Sequence, residues 1–258
     1  MSDAVAGRPF IIRVGKKVRP LLNTLIAHNS LVPDTPVLDT SLFPWISNME
    51  QRAFRIIEEF RILMTQGVSS FPALRDISPD HTRIAPDTRW KSFFLYGYGN
   101  CVLENCRRMP CTARFAAAIP GLNSAFVSFL EPGARIPLHN GVTKGLLTCH
   151  LGLQVPQDYR NCWIRIDDQT LCWQDGKCIL FDDTYPHEVQ NNTSDHRAVL
   201  LIQFERPTYG VGRLVQGMFL KAVRRSAFVQ EAKNNLAHWH ALHHEMARTE
   251  RQTSGLTV

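Results

Sequence analysis

Two histidines and one arginine in the second half of the chain are of the right types to bind a metal ion and an acidic co-substrate. His139 and His187 each follow a proline-containing turn between short apolar runs, and Arg197 comes soon after His187. Imidazole is a common metal ligand, and the planar guanidinium of arginine pairs with a carboxylate through two hydrogen bonds. This combination predicts a metal site with an anchor for an anion.

The elements that must position these residues lie between residues 125 and 207. There, short β-branched and apolar runs alternate with Gly, Pro, Asn and Asp. This pattern is typical of many short antiparallel strands that close into a barrel or sandwich. We predict a single domain over residues 1–258 that is mainly β with flanking α: N-terminal support (1–124), the β core (125–207) and C-terminal helices (208–258).

Outside this core, hydrophobic spacing predicts further elements. Prolines at positions 9, 20, 33, 36 and 44 predict an irregular first 45 residues, with at most a short helix over 21–28. The remaining predicted elements are an amphipathic helix over 44–66, a strand over 90–98, a helix over 106–119, and one or two C-terminal helices over 214–223 and 229–251.

Several motifs of the core resemble the aspartyl/asparaginyl β-hydroxylase family, which includes bacterial lipid A hydroxylases. The matching positions are distributed over the second half of the chain, with a weaker match at residues 90–94. They are Pro132-Gly133, His139-Asn140-Gly141, His150-Leu151-Gly152-Leu153, Trp173 and Gly176, Phe181-Asp182-Asp183-Thr184, His187-Glu188-Val189 and Arg197.

The resemblance implies an iron(II)- and 2-oxoglutarate-dependent dioxygenase on a double-stranded β-helix, that is, a jelly-roll or cupin-like core. Such an enzyme uses molecular oxygen to hydroxylate an unactivated carbon and releases succinate and CO2. His139 and His187 are then the iron ligands. Many non-haem iron oxygenases add a carboxylate two residues after the first histidine. Here that position is Gly141, which agrees with this family's use of water instead.

The resemblance also implies roles for further residues. Asp183 is expected to hydrogen-bond the water that replaces the carboxylate ligand. Arg197 is expected to bind the distal carboxylate of 2-oxoglutarate with help from Ser128. His150 is expected near the carboxylate on the iron side.

Two positions depart from the family pattern. The family has an arginine two residues before the histidine that corresponds to His150, and this chain has Thr148 there. We take Arg165 as the candidate that replaces this cation at the iron-side end of 2-oxoglutarate. Members that hydroxylate aspartyl residues also have an arginine where this chain has Leu146, so recognition of an aspartyl side chain in that manner is not expected.

Composition narrows the remaining possibilities. The N-terminal 20 residues lack the apolar core of a signal peptide, so we expect a cytoplasmic protein without a transmembrane segment. The net charge is +6, but the basic residues are scattered, so we predict no nucleic-acid partner. Residues 221–225, next to apolar residues 218–220, permit peripheral membrane contact, although a solvated helix face is the simpler interpretation.

The seven cysteines lack paired CxxC spacing and favour neither a disulfide framework nor a structural zinc site. In the C-terminal region, His238, His240, His243 and His244 cluster, and His240 and His244 lie one helical turn apart. No HExxH motif accompanies them, so a structural or surface role is the simpler interpretation.

The substrate stays open among an acyl chain, an amino acid or peptide side chain, and a natural-product intermediate. We favour a free amino acid or small biosynthetic acid, because an N-terminus that is not apolar disfavours a membrane-anchored enzyme that acts on lipids. Two other classes of function compete with the oxygenase. One is a zinc-dependent hydrolase, which would need a third protein ligand and a general base near Gly141. The other is a binding protein that has kept the barrel but lost turnover, for which Thr148 is the best argument.

Overall fold

The computed structural model describes residues 10–65, 67 and 71–254, and side chains within that range except for 10–17, 79–80 and 243–254. Its centre is formed by two facing antiparallel sheets. The strands are β1 (Val37–Leu38), β2 (Trp90–Gly97), β3 (Asn100–Cys101), β4 (Leu122–Leu130), β5 (Arg135–His139), β6 (Leu146–Gln154), β7 (Cys162–Ile166), β8 (Gln169–Cys172), β9 (Cys178–Phe181), β10 (His187–Asn191) and β11 (Arg197–Glu205).

The larger sheet has the order β1-β9-β6-β11-β4-β2-β3, and the smaller sheet has the order β5-β10-β7-β8. From β4 to β11 the chain passes back and forth between the two sheets, except at the β7–β8 hairpin, which lies within the smaller sheet. This arrangement makes a double-stranded β-helix and confirms the predicted fold class. The strand predicted over 90–98 enters the larger sheet as β2, next to β4.

Side chains alternate between two cores along the central strands of the larger sheet. On β11, Ala198, Leu200 and Ile202 face a layer of helices, whereas Val199 faces the smaller sheet. Because both faces of β11 are covered, its sequence is a continuous apolar run rather than a polar-apolar alternation. The inner face, between the sheets, carries the site residues described below.

The helices surround this core. They are α1 (Phe10–His28), α2 (Pro44–Gln51), α3 (Ala53–Met64), α4 (Leu74–Ile77), α5 (Leu103–Arg108), α6 (Pro110–Ala117), α7 (Gly210–Arg224) and α8 (Ala227–Ser254). The predicted C-terminal helical segments are confirmed, and they form two helices, α7 and α8. The side chains of His243 and His244 lie outside the described residues.

Two predicted helices are each divided in two. The segment 44–66 is interrupted at Arg52, whose backbone leaves the helical region and allows α2 and α3 each to bury an apolar face against the larger sheet. The segment 106–119 is interrupted at Met109, because Pro110 disfavours a helical residue before it and begins a new helix instead.

The prediction that the first 45 residues contain only a short helix was wrong. Helix α1 has 19 residues and includes Pro20 in its interior. An internal proline costs about 3 kcal/mol or more through one lost hydrogen bond and a steric clash. Packing of α1 against α7, together with the complete burial of Ile26, offsets this cost. Over the described residues, none of the helices has the length and apolar character needed to cross a bilayer.

Candidate active site

The two predicted metal ligands lie side by side on the inner face of the smaller sheet. His139 on β5 and His187 on β10 are direct cross-strand partners, and their ring centroids are 4.0 Å apart. The Nδ1 of His139 is 2.8 Å from the carbonyl oxygen of Pro137, and the Nδ1 of His187 is 2.9 Å from that of Tyr185. A carbonyl oxygen can only accept a hydrogen bond, so each Nδ1 carries the ring proton and donates it. Each Nε2 is then left with a lone pair that can bind a metal ion.

A β-bulge places His139 on the inner face. The pairing of β5 with β10 shifts register between His187 and Val189. Ile136 is buried inside the barrel and Leu138 is exposed, yet His139 returns to the inner side. Without the bulge, strict alternation from Ile136 would direct Leu138 inward and His139 outward.

Burial keeps both imidazoles neutral. Desolvation, followed by the proximity of His187, lowers the pKa of His139 to about 4. Desolvation also lowers the pKa of His187 from its ordinary value. Metal ions bind the neutral imidazole, so the pair is ready to coordinate at neutral pH without the loss of a proton.

The carboxylate of Asp183 occupies the space that a side chain at position 141 would need. A Cβ atom on Gly141 would overlap the Oδ1 atom of Asp183. The Gly141 N–H also donates a hydrogen bond to the Asp183 carbonyl oxygen over 2.6 Å. The predicted absence of a ligand at Gly141 is therefore accompanied by a carboxylate that approaches the same place from the loop before β10.

Two polar side chains from the larger sheet hold the Asp183 carboxylate. Its Oδ2 atom accepts hydrogen bonds from the Thr148 hydroxyl at 3.3 Å and from the Gln203 amide at 3.2 Å. Burial, reinforced by the adjacent Asp182, raises the pKa of Asp183 to about 7. Asp183 can therefore exchange a proton near neutral pH, as a group that hydrogen-bonds water in either direction.

Arg197, at the start of β11, is completely buried and has no carboxylate partner among the described residues. One guanidinium nitrogen donates to the backbone oxygen of Ser128 at 3.2 Å and approaches its hydroxyl at 3.5 Å. The guanidinium lies 4.6 Å from the centroid of the Trp173 ring, and its Nε has no hydrogen-bond partner. Desolvation lowers the pKa of Arg197 to about 10, so it remains charged at neutral pH.

His150 and Trp173 add more unpaired donors to the same region. Both ring nitrogens of His150 and the Nε1 of Trp173 are buried without a hydrogen-bond partner, and the two rings stack with centroids 6.1 Å apart. Desolvation, then the positive charge of Arg197 and then His187, lowers the pKa of His150. His150 is therefore near both Arg197 and His187.

Each buried polar group without a partner costs about 1–3 kcal/mol, so such groups are rare in proteins. The four unpaired nitrogens of Arg197, His150 and Trp173 include three N–H donors beside a positive charge, and they therefore indicate a binding site for an anion. The structure brings together Arg197, Ser128 and His150 as the sequence predicts. It adds Trp173, which the sequence marked only as part of a motif.

A model of the aspartyl/asparaginyl β-hydroxylase family matches residues 50–207, more than half of the chain. The chain belongs to the aspartyl/asparaginyl β-hydroxylase family. An ornithine lipid ester-linked acyl 2-hydroxylase from Rhizobium tropici is 38% identical over 205 residues, covering 79% of this chain and 72% of that protein. The relatives of this chain are thus named as hydroxylases, which supports its assignment as an enzyme of this class.

More distant members of the family are larger proteins. The human aspartate beta-hydroxylase domain-containing protein 1 is 35% identical over 164 residues, which cover 54% of this chain and 40% of that protein. For the human aspartate beta-hydroxylase domain-containing protein 2, the identity is 34% over 131 residues, which cover 47% of this chain and 35% of that protein.

Among solved structures, the cupin domain of Schizosaccharomyces pombe Cnp3 is similar to this chain with a TM-score of 0.30 at 13% identity, over 38% of this chain and 64% of that domain.

The prediction that Arg165 replaces the family arginine was wrong. Its neighbours on β7, Ile164 and Ile166, point into the barrel, so strand alternation directs Arg165 outward. There it pairs with Glu188, which also binds Arg135 at 2.8 Å. This ion-pair cluster lies on the outer surface of the smaller sheet, away from the site of this β-hydroxylase family member.

A second buried arginine, Arg206, supports the loop that carries Asp183. Its guanidinium pairs with Asp182, which is also 2.9 Å from the Lys144 ammonium. The other carboxylate oxygen of Asp182 accepts hydrogen bonds from the backbone and hydroxyl of Thr184, as expected for a turn-capping aspartate. No motif or spacing in the sequence distinguishes Arg206 from the other arginines, because its partner Asp182 lies 24 residues earlier in the chain.

Proposed function

We propose that this protein is an iron(II)- and 2-oxoglutarate-dependent dioxygenase that hydroxylates an acyl chain carried by a polar lipid. The observation that carries the proposal is the arrangement inside the barrel. Two neutral imidazoles lie on one sheet, a buried guanidinium without a carboxylate lies on the other, and His150 is near both Arg197 and His187. A metal ion and a dicarboxylic acid match these two ends.

The residues present fit both groups. His139 and His187 would hold iron(II) through their Nε2 atoms, because their Nδ1 atoms already donate to backbone carbonyls. Arg197 and the Ser128 hydroxyl would bind the distal carboxylate. When bound, iron(II) and 2-oxoglutarate would activate molecular oxygen, which oxidises 2-oxoglutarate to succinate and CO2 with one of its atoms and converts a C–H bond to C–OH with the other.

Asp183 has the role of a positioning group in this proposal. It fills the place of the carboxylate that Gly141 lacks and is held there by Thr148 and Gln203. With a pKa raised to about 7, it can accept or donate one proton to a water molecule beside the two histidines. Thr148 thus belongs to this network, which weakens its value as an argument for a barrel that has lost turnover.

The inner surface beyond the histidines favours an apolar substrate. On β6, Leu146 lies on the same face as Thr148 and His150, where aspartyl-hydroxylating members have an arginine. Leu201 lies between His150 and Phe126 in the sheet, and neither neighbouring position offers a cation. This surface suits an acyl chain better than the small acid that the sequence favoured, and the Rhizobium tropici relative is named as an acyl 2-hydroxylase.

A zinc-dependent hydrolase receives less support. Within the part of the chain that the structure describes, no group of three or more His, Cys, Asp or Glu side chains is arranged to hold a metal ion. A hydrolytic zinc site ordinarily has three protein ligands and an open position.

A turnover experiment tests the proposal. The iron-loaded protein is incubated with a membrane-lipid extract, 2-oxoglutarate and isotope-labelled oxygen gas, and lipids and succinate are measured by mass spectrometry. We expect one labelled oxygen atom in an acyl chain for each succinate formed, and neither product with His139→Ala. Hydroxylation without succinate, or hydrolysis of the lipids with zinc, would contradict the proposal.

A further inference from the structure

The positive charge of the protein is concentrated in two neighbouring helices. Helices α1 and α7 together contain seven Lys and Arg residues and no Asp or Glu. The rest of the chain keeps 22 of the 29 basic residues together with all 23 acidic residues. The two helices lie against each other, and the N–H of Tyr209, just before α7, donates to the carbonyl of Asn29, just after α1.

The same two helices expose apolar side chains. The exposed fractions are 70% for Leu21 on α1, 63% for Leu214 and 58% for Met218 on α7. Leu214 and Met218 line an open groove of about 490 Å³ whose rim includes Arg213 and Lys221. By contrast Leu220, which the sequence placed in the same apolar block as Met218, is buried in the core.

Both helices are attached to the loop that follows His139. From α1, the Asn23 side chain accepts a hydrogen bond from the Lys144 N–H at 3.0 Å. From α7, Gln216 packs so closely on Gly145 that a Cβ there would lie 3.0 Å from its Cγ.

The loop and its flanks are apolar as well. The side chains of Leu138 and Val142 are 58% and 53% exposed, and Leu138 directly precedes His139. Exposed apolar groups thus lie on α1, on α7 and beside the loop that both helices contact and that follows the predicted metal ligand His139.

We propose that this surface docks the protein on an anionic phospholipid bilayer and presents the site to acyl chains within it. We call it the membrane face; it consists of Leu21, Leu138, Val142, Val211, Leu214 and Met218 with the basic residues Arg19, Arg213 and Lys221. The inference deepens the proposed function, on which its acyl substrate rests.

A bilayer fits this face because the charged side chains of the face are all basic and lie beside exposed apolar side chains. Amphipathic helices with basic polar faces bind in the plane of the membrane interface, and anionic headgroups attract their lysines and arginines. The substrate of the proposed reaction is itself a membrane component. An enzyme that binds the membrane beside its metal ligands needs to draw an acyl chain only a short way from the bilayer.

Vesicle sedimentation tests the inference with the metal-free, full-length chain. We expect binding to vesicles of phosphatidylglycerol and phosphatidylcholine that weakens with added salt, and little binding to phosphatidylcholine alone. The double variant Leu21→Glu/Leu214→Glu should bind about tenfold more weakly, because it removes apolar contact and adds repulsion. The matched control is Phe54→Glu/Ile62→Glu, which changes two residues of α3 that are each 63% exposed and should bind normally.

Several results would overturn the inference. These are wild-type protein that stays in solution with anionic vesicles, or equal losses in the two double variants. Light scattering that shows a dimer broken only by Leu21→Glu/Leu214→Glu would identify a second copy of the chain as the partner instead.

Anaerobic binding of 2-oxoglutarate separates this inference from the proposed function. The membrane-face variant should bind it as the wild type does. If the wild type binds vesicles but not 2-oxoglutarate, only the proposed function fails.

Discussion

The two ends of β11 each carry a fully buried arginine, and the two differ in what surrounds them. Arg206, just after the strand, pairs with Asp182 and donates to the carbonyl oxygens of Lys144 and Pro33. Arg197, at the opposite end, contacts Ser128, the Cys162 thiol and the face of Trp173, and pairs with no carboxylate among the described residues; its Nε has no hydrogen-bond partner.

This difference separates a structural guanidinium from a functional one. Removing a guanidinium from water costs several kcal/mol, which a carboxylate partner and further hydrogen bonds can offset. For Arg206 the protein supplies these partners itself. For Arg197 the protein supplies no negative charge, so we expect a bound anion to provide it. Until an anion binds, the buried guanidinium lowers the stability of the protein.

The largest expected difference is in stability. Arg206→Met should lower the free energy of unfolding by about 3–5 kcal/mol, because it leaves the carboxylate of Asp182 buried beside only Lys144. Arg197→Met should stay within about 1 kcal/mol of the wild type or stabilise the protein, because it removes an uncompensated charge. Urea denaturation of the metal-free proteins measures both. Equal losses in the two variants would remove the distinction.

The next effect is on the binding of 2-oxoglutarate. Arg197→Met should weaken it about 100-fold, since a buried charge pair loses one partner. Arg197→Lys should give an intermediate loss, because an ammonium cannot form the paired hydrogen bonds of a guanidinium. Anaerobic calorimetry with iron(II)-loaded protein is the measurement. Unchanged affinity in the methionine variant would place the diacid elsewhere.

A third effect depends on pH and concerns Asp183. Folding raises its pKa from 3.8 to about 7, so the folded protein holds this proton more tightly than the unfolded chain. Its contribution to stability is therefore complete below pH 3.8 and is lost as the pH rises through 7.

The variant Asp183→Asn should remove this dependence. In the metal-free protein it should be more stable than the wild type above pH 7 by up to about 4 kcal/mol, and similar to it at pH 3.8 and below. Thermal denaturation across this range checks the sign. A wild type that gains stability relative to the variant as the pH rises would show that the carboxylate is not buried as described.

The smallest effect is expected at the outer ion pairs. Arg165→Ala removes a half-exposed arginine that contacts Glu188 on the outside of the smaller sheet. It should cost less than about 1 kcal/mol, because solvent weakens such pairs and Arg135 still neutralises the carboxylate. The affinity for 2-oxoglutarate, measured as for Arg197→Met, should not change. A large loss of affinity would restore Arg165 as a co-substrate ligand.

Much of the fold could be predicted from local pattern. Alternating apolar runs with Gly and Pro punctuation identify the strands, and the motif residues His139, His187 and Arg197 do converge on the barrel interior. Local pattern failed where long-range packing decides. The proline in α1 is tolerated because the helix packs against α7, nearly 200 residues later in the chain.

The site was harder to predict where strand register matters. Arg165 and Ile164 are adjacent in sequence, yet only their pairing with β10 shows which of them faces inward. The inward orientation of His139 depends on a β-bulge, and no residue type in the sequence indicates that bulge. Similarly, Arg197 and Arg206 have the same chemistry in the sequence, and only the presence of Asp182 beside one of them separates their roles.

One optical measurement tests the central claim most directly. Oxygen-free protein is titrated with iron(II) and then with 2-oxoglutarate, and the visible spectrum is recorded for the wild type, His187→Ala and Arg197→Met. The wild type should develop the weak charge-transfer band of an iron-chelated keto acid. His187→Ala should lack the band, and Arg197→Met should need far more 2-oxoglutarate to reach it. A wild type that stays colourless, or a band that forms equally well in all three proteins, would contradict the assignment of iron to the two histidines and of the diacid to the guanidinium.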